Sequence, residues 1–181
     1  VKLIASGVTH KSELGGVKLD LSTKEAVERA CAEIEAKLRS GSPEVSVEGF
    51  LVQEMIRGGV ETIIGAQNDP QFGPVVMFGL GGTAVELYRD VTFRMAPVND
   101  GEAAQMIRGT KGYPLLAGFR GATPVDEPSL CRAIVAVSEL AAAGRELIES
   151  IDINPFICLP RGGKAVDAVI ITRAGERREL R

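Results

Sequence analysis

Asp152 and Asn154 stand two apart in the run Ile151-Asp152-Ile153-Asn154-Pro155-Phe156. At the period of a strand, an acid and an amide then share one face, and Ile151 and Ile153 share the other. Polar groups in so apolar a run need partners: structural hydrogen bonds, a metal or a reacting ligand. The next apolar run, Ala165–Thr172, follows a turn at Pro160-Arg161-Gly162-Gly163. A turn centred on Pro160-Arg161 sets Asn154 opposite Asp167, with Asp152 one pleat away. Such a set suits Mg²⁺, which takes one or two protein ligands and leaves the rest to water and phosphate. A plain cross-strand hydrogen bond fits the same spacing, and a one-residue slip would part the two groups.

Other residues invite similar questions. Phe50–Ile56 and Val60–Ala66 read as strands joined by Arg57-Gly58-Gly59, a hairpin that brings Glu54 near Glu61. Paired carboxylates repel unless a cation or a hydroxyl-rich ligand lies between them, or unless both simply face solvent. Lys2, among apolar neighbours, either snorkels at a strand edge or aims its charge at a ligand. His10 lies in the loop Gly7–Gly16 beside Lys11 and Ser12. A loop histidine can be a nucleophile or proton carrier, or an ordinary surface side chain. Gly79-Leu80-Gly81-Gly82 could bring backbone N–H groups to phosphates, or be a plain loop. Arg94, in the alternating strand Val91–Met95, either clamps phosphate or faces water.

These groups need elements to hold them. Residues 1–6 and Val17–Leu21 read as strands. The box Ser22-Thr23-Lys24-Glu25 then opens a helix with Ala26/Val27, Ala30/Cys31, Ile34 and Leu38 at helical spacing, ending at Ser40-Gly41. Asn68–Gly73 turns into a strand at Pro74–Phe78. A short helix runs from Asn99-Asp100 to Gly109, Lys111–Thr123 is irregular, and Asp126-Glu127-Pro128 starts a helix carrying Leu130, Ile134, Val137 and Ala141. The charged tail Arg173–Arg181 is expected to fray. The pattern is α+β in two lobes: a small α/β lobe over 1–43, and a larger antiparallel sheet with helices over 44–181. Ligands favour the space between such lobes.

Bulk properties exclude several classes. With 45% apolar and 25% charged residues and a net charge of −3, the 181-residue chain is an ordinary globule with no electrostatic case for nucleic acid. No apolar run approaches the roughly 20 residues of a membrane span. Three scattered cysteines read as reduced core residues and hence as a cytoplasmic setting, and a single histidine argues against zinc. The abrupt start on Val1-Lys2-Leu3 is expected to be a cut within a longer chain.

In their order, several segments resemble the ADP-forming acyl-CoA synthetases, and more narrowly the β-subunit-like ATP-grasp part of that family. They are His10-Lys11-Ser12-Glu13-Leu14-Gly15-Gly16-Val17, Val52-Gln53-Glu54-Met55, Gly59-Val60-Glu61, Phe78-Gly79-Leu80-Gly81-Gly82, Val91–Pro97 and Asp152-Ile153-Asn154-Pro155. The pattern is similar in turn to the succinyl-CoA synthetase β-subunit. It covers Val1 to about Arg173, and its specificity lies in the combined order. The resemblance implies an ATP-grasp fold whose small lobe lacks its first helix and strand. It implies ATP/ADP and Mg²⁺ as cofactors, with Lys2 on the phosphates, Gln53, Glu54 and Met55 around adenine and ribose, Glu61 nearby, and Arg94 near phosphate. Asn154 and Asp167 match metal ligands, Asp152 the acid that steadies a phosphohistidine, and His10 a histidine that passes the phosphoryl group. The implied partner is a CoA-binding, phosphohistidine-bearing subunit or domain, without which the fragment is not expected to complete a ligase cycle. The sequence leaves homo-oligomer formation, the acyl group and ATP versus GTP open. Rival readings are a regulatory ATP-grasp module of an acyl-CoA-linked protein acetyltransferase, another ATP-grasp carboxylate ligase, and an interaction module that binds no nucleotide.

Overall fold

A computed structural model describes residues 1–5, 14–41, 46–82, 90–173 and the backbone of 177–179. The chain forms two compact units, Val1–Arg57 and Gly58–Arg181.

In the first unit, β1 (Lys2–Ala5) pairs antiparallel with β2 (Val47–Leu51), Leu3 facing Phe50. Helix α1 (Lys24–Gly41) turns Ala30, Ile34 and Leu38 inward, as their spacing predicts, and Leu3, Ile34 and Leu38 make a small core. The helix is capped by Thr23, whose Oγ1 accepts from the Ala26 N–H at 3.2 Å, in place of the expected Ser22–Glu25 box. The expected strand Val17–Leu21 reduces to one bridge, Lys2 to Val17. The division after Arg57 differs from the expected boundary after residue 43, because β2 finds its partner in β1.

That pairing also removes the expected hairpin between Phe50–Ile56 and Val60–Ala66. Strand β2 ends at Leu51, and the next strand, β3 (Val60–Asp69), belongs to another sheet. The glycine pair serves a different purpose. Gly59 has φ +85, and a Cβ there would lie 2.6 Å from the Cys158 carbonyl oxygen, so it permits a close backbone approach rather than a tight hairpin. No ladder sets Glu54 opposite Glu61.

The second unit is built on a seven-stranded sheet. Besides β3 it contains β4 (Gly73–Leu80), β5 (Val91–Met95), β6 (Ile148–Cys158), β7 (Gly163–Ala165), β8 (Ala168–Thr172) and β9 (Arg177–Glu179). The order is β5-β4-β3-β6-β8-β9, with β7 also paired to β6. Among the described residues the unit carries three helices: α2 (Asp100–Arg108) and α4 (Glu127–Ala143), which follow the sequence signals, and the short α3 (Tyr113–Leu116). Asn99 and Glu102 form a reciprocal capping box at α2. The stretch 111–123, expected to be irregular, holds α3 and a 3₁₀ turn at Phe119–Gly121. Here Asp90 accepts from the N–H groups of Lys111 and Gly112, both at 2.8 Å, and so anchors the start of α3.

The core lies between the helices and one face of the sheet. Ile64, Val76, Phe78 and Ile151 meet Met106, Ile107, Leu130 and Ile134 there. Burying each of the large apolar side chains contributes about 1.5–3 kcal/mol. Arg108 and Tyr113 both reach Glu127, at 2.7 Å and 3.1 Å, tying the three helices together over that core.

Candidate functional site

Strand alternation puts Asp152 on the opposite face of the sheet. Phe93, Met77, Gly65, Asp152 and Val169 are successive register partners across five strands. They form one row on that face. Gly65 contributes no side chain, so the row dips between Met77 and Asp152. Gly65, Val75, Met77, Phe93 and Asp152 line a hollow of about 480 Å³. Phe93 and Met95 stay more than half exposed on this side, although both are large and apolar.

The last hairpin has the register that its turn predicts. Ile151 to Cys158 run continuously against Ile170 to Gly163, centred on Pro160-Arg161. Asn154 therefore lies opposite Asp167, and its N–H donates to the Asp167 carbonyl at 3.1 Å. Pro155 has no N–H to give. Its carbonyl accepts from Val166 at 3.0 Å, and the outgoing arm is split here into β7 and β8. Asp152 reaches solvent, yet the surrounding strands strip part of its hydration. Its carboxyl is raised above the ordinary aspartate value, by burial first and by the charge of Asp167 second. Asp152 and Asp167 are thus close enough to feel each other.

Glu61 falls on the same face by alternation from Gly65, and it is exposed. Its carbonyl accepts from the Gly81 N–H at 2.7 Å. A Cβ on Gly81 would come within 2.9 Å of the Glu61 backbone carbon, so this approach requires glycine. Of the four-residue Gly-rich stretch, Gly81 thus grips a strand through its N–H. Beneath the face, buried Thr62 donates to the Phe156 carbonyl at 2.8 Å, and its Oγ lies 3.5 Å from Cys158 Sγ. Burial pushes the Cys158 thiol up to about 11, so it stays protonated and unreactive.

Arg94 departs from expectation. It pairs with Val76, which faces the helices, and its neighbour Thr92 donates to the Met106 carbonyl of α2 at 3.1 Å. Alternation directs Arg94 away from the row of Asp152, and its guanidinium donates to the Phe93 carbonyl at 2.9 Å. Lys2, Gln53, Glu54 and Met55 belong to the first unit. Lys2 is on the side of β1 away from buried Leu3, and Gln53, Glu54 and Met55 are exposed in the segment after β2. His10 lies outside the described residues.

Gly65, Met77 and Phe93 were not legible as site residues, because strands far apart in sequence bring them beside Asp152. The only local hint was the apolar exposure implied by strict alternation in β5. Among the described residues, no three His, Cys, Asp or Glu side chains gather into a metal-holding group. The hairpin brings together the positions of one amide, Asn154, and two carboxylates, Asp152 and Asp167, of which the second raises the first. That donor chemistry fits a hard divalent cation that keeps water and phosphate oxygens as its remaining ligands.

A family model described as an ATP-grasp domain matches residues 1–172. The chain belongs to the ATP-grasp family, in the branch of the β-subunit-like parts of ADP-forming acyl-CoA synthetases. It is 43% identical over 171 residues to the β subunit of acetate–CoA ligase (ADP-forming) I from Pyrococcus furiosus, covering 94% of this chain and 73% of the relative. It is 41% identical to the acetate–CoA ligase (ADP-forming) I of Archaeoglobus fulgidus, covering 92% of this chain but only 24% of that protein. The chain therefore spans about a quarter of the length of that relative. Among solved structures, it matches an acetyl-coenzyme A synthetase of Ca. Korarchaeum cryptofilum in complex with coenzyme A, Ca-AMPCP and HgCl⁺. The identity is 47%, the TM-score 0.91, and coverage 95% of this chain and 75% of that one. Another structure of that enzyme, with coenzyme A and Mg-AMPPCP, has its phosphohistidine segment pointing towards the nucleotide binding site. It matches at 43% identity and TM-score 0.82, covering 96% and 75% of the two chains. No helix among the described residues is long and apolar enough to cross a membrane.

Proposed function

We propose that this chain is the nucleotide-binding part of an ADP-forming acid–CoA ligase. In the parent reaction acyl-CoA, ADP and phosphate interconvert with carboxylate, CoA and ATP, through an acyl phosphate and a phosphohistidine. The observation that carries the reading is the hairpin register that sets Asn154 opposite Asp167, with the charge of Asp167 acting on Asp152, in a chain of this family. Asn154 and Asp167 hold Mg²⁺ with the nucleotide phosphates. When bound, the ion supplies charge cancellation for phosphoryl transfer, a reaction that needs positioning more than covalent machinery. Lys2 adds a second positive charge at the phosphates, and Gln53, Glu54 and Met55 hold adenine and ribose, with Glu61 as a further contact. Arg94 is left out of the set because its strand position directs it to the other face.

Asp152 hydrogen-bonds and orients an imidazole presented by the partner subunit or domain. Exposed Phe93 and half-buried Met77, in the same row of the sheet, give the segment carrying that histidine an apolar surface on which to rest. His10 is the residue of this chain assigned to passing the phosphoryl group. Its ring nitrogen attacks the γ-phosphorus as the bond to the ADP oxygen breaks, and a later acceptor takes the phosphoryl group. The test is acid-labile histidine labelling of the full-length enzyme, assembled with its CoA-binding subunit or domain, from γ-labelled ATP. Asp167→Asn is expected to cut Mg²⁺-dependent labelling at least about tenfold. Wild-type labelling in this variant would overturn the reading.

A further inference from the structure

Asp126 joins two elements that chain order keeps apart. Its carboxylate accepts from the Ser129 N–H at 3.0 Å and the Ser129 hydroxyl at 2.7 Å, capping α4. The same carboxylate accepts from the Gly162 N–H at 2.9 Å. Its own N–H donates to the Leu159 carbonyl at 2.8 Å, and Leu159 N–H donates to the Gly162 carbonyl at 3.1 Å. Asp126 thus grips the incoming arm of the β6–β7 turn at Leu159 and the outgoing arm at Gly162. Gly162 takes φ +71 there, a conformation suited to glycine.

This turn sets the register that faces Asn154 to Asp167, through the pairs Cys158–Gly163, Ile157–Lys164 and Phe156–Ala165. A slip of one residue would send the two groups to opposite faces. Helix α4 is a firm anchor for the turn, since Leu130 and Ile134 are buried in the core. We infer that Asp126 is a positioning residue: by tying the turn to the start of α4, it holds Asn154 and Asp167 in register for a shared cation. The inference rests on reading those two residues as metal ligands. The carboxylate is held down at about 2, by the Ser129 hydroxyl first and then by the Gly162 and Ser129 N–H groups. It is therefore an ionised acceptor for all three donors at neutral pH.

Asp126→Asn separates the two tasks. It keeps an oxygen for the Ser129 N–H, hence a helix cap, and loses the second oxygen that receives Gly162. Ser129→Ala removes the hydroxyl and leaves the turn contact. The measurement is the Mg²⁺ concentration for half-maximal ATP-dependent turnover in the assembled full-length enzyme, alongside kcat at saturating Mg²⁺. Asp126→Asn is expected to raise that concentration about tenfold, with kcat near wild type, while Ser129→Ala stays near wild type in both. A lowered Tm for Asp126→Asn with an unchanged Mg²⁺ requirement would overturn the inference, as would equal shifts in the two variants. Asp167→Asn serves as reference. If it shifts the Mg²⁺ requirement and Asp126→Asn does not, the inference alone fails. If neither does, the metal reading fails and the inference with it.

Discussion

Asp152 carries the most perturbed carboxylate on the open face, raised by burial and by Asp167, and it stands where Gly65 leaves room above the sheet. A carboxylate so placed can receive an imidazole N–H, and the field of its neighbours favours a positively charged partner. Asp152→Asn keeps the shape and removes the charge. Turnover of the full-length enzyme is expected to fall about a hundredfold, with KM for ATP close to wild type, since in the proposed role Asp152 acts on the histidine and not on the nucleotide. Equal turnover would assign Asp152 to structure alone. At this scale the sequence was informative where polar residues interrupt an apolar strand at period two, as Asp152 and Asn154 do. It was silent on Gly65 and Thr62, whose roles depend on which strand lies alongside. The side of the sheet that Arg94 takes was not legible, because an alternating strand does not say which of its faces meets the helices.

The hairpin of β6 with β7 and β8 was legible because turn and register are local: the centre at Pro160-Arg161 decides every pair out to Ile151–Ile170. The supposed hairpin before it failed for a physical reason. Arg57-Gly58-Gly59 has the composition of a tight turn, but β2 pairs with β1 and Gly59 is needed for close approach to β6. Helices α1, α2 and α4 were read correctly from caps and periodicity, with the cap of α1 displaced from Ser22 to Thr23, while the short α3 fell in a stretch read as irregular. Gly81 gives the element-scale prediction. An added Cβ meets Glu61 backbone and Cβ atoms at 2.9 Å, neither of them the far end of a flexible chain. Gly81→Ala is expected to cost about 1–3 kcal/mol in urea unfolding. Stability equal to wild type would show that the start of β3 yields easily.

For the molecule as a whole, acid stability is linked to the clamp at Asp126. Its folded-state value of about 2 lies below the ordinary 3.8, so the unfolded chain binds the proton more tightly. The stability it contributes is complete above about pH 4 and is lost as pH falls towards 2. The groups around the carboxylate are Ser129 and Arg132 on α4 and the Gly162 N–H of the turn. Thermal unfolding followed from pH 5 to pH 2 is expected to fall less steeply for Asp126→Asn than for wild type, and parallel curves would contradict the linkage. The division after Arg57 was not legible, because the pairing of β1 with β2 spans the whole of α1. The most direct test of the central claim is calorimetric titration of ATP into the full-length protein with and without Mg²⁺. Wild type is expected to bind at least about tenfold more tightly with Mg²⁺. The double variant Asn154→Ala/Asp167→Asn is expected to bind alike in both conditions, and a wild-type Mg²⁺ dependence in that variant would contradict the account.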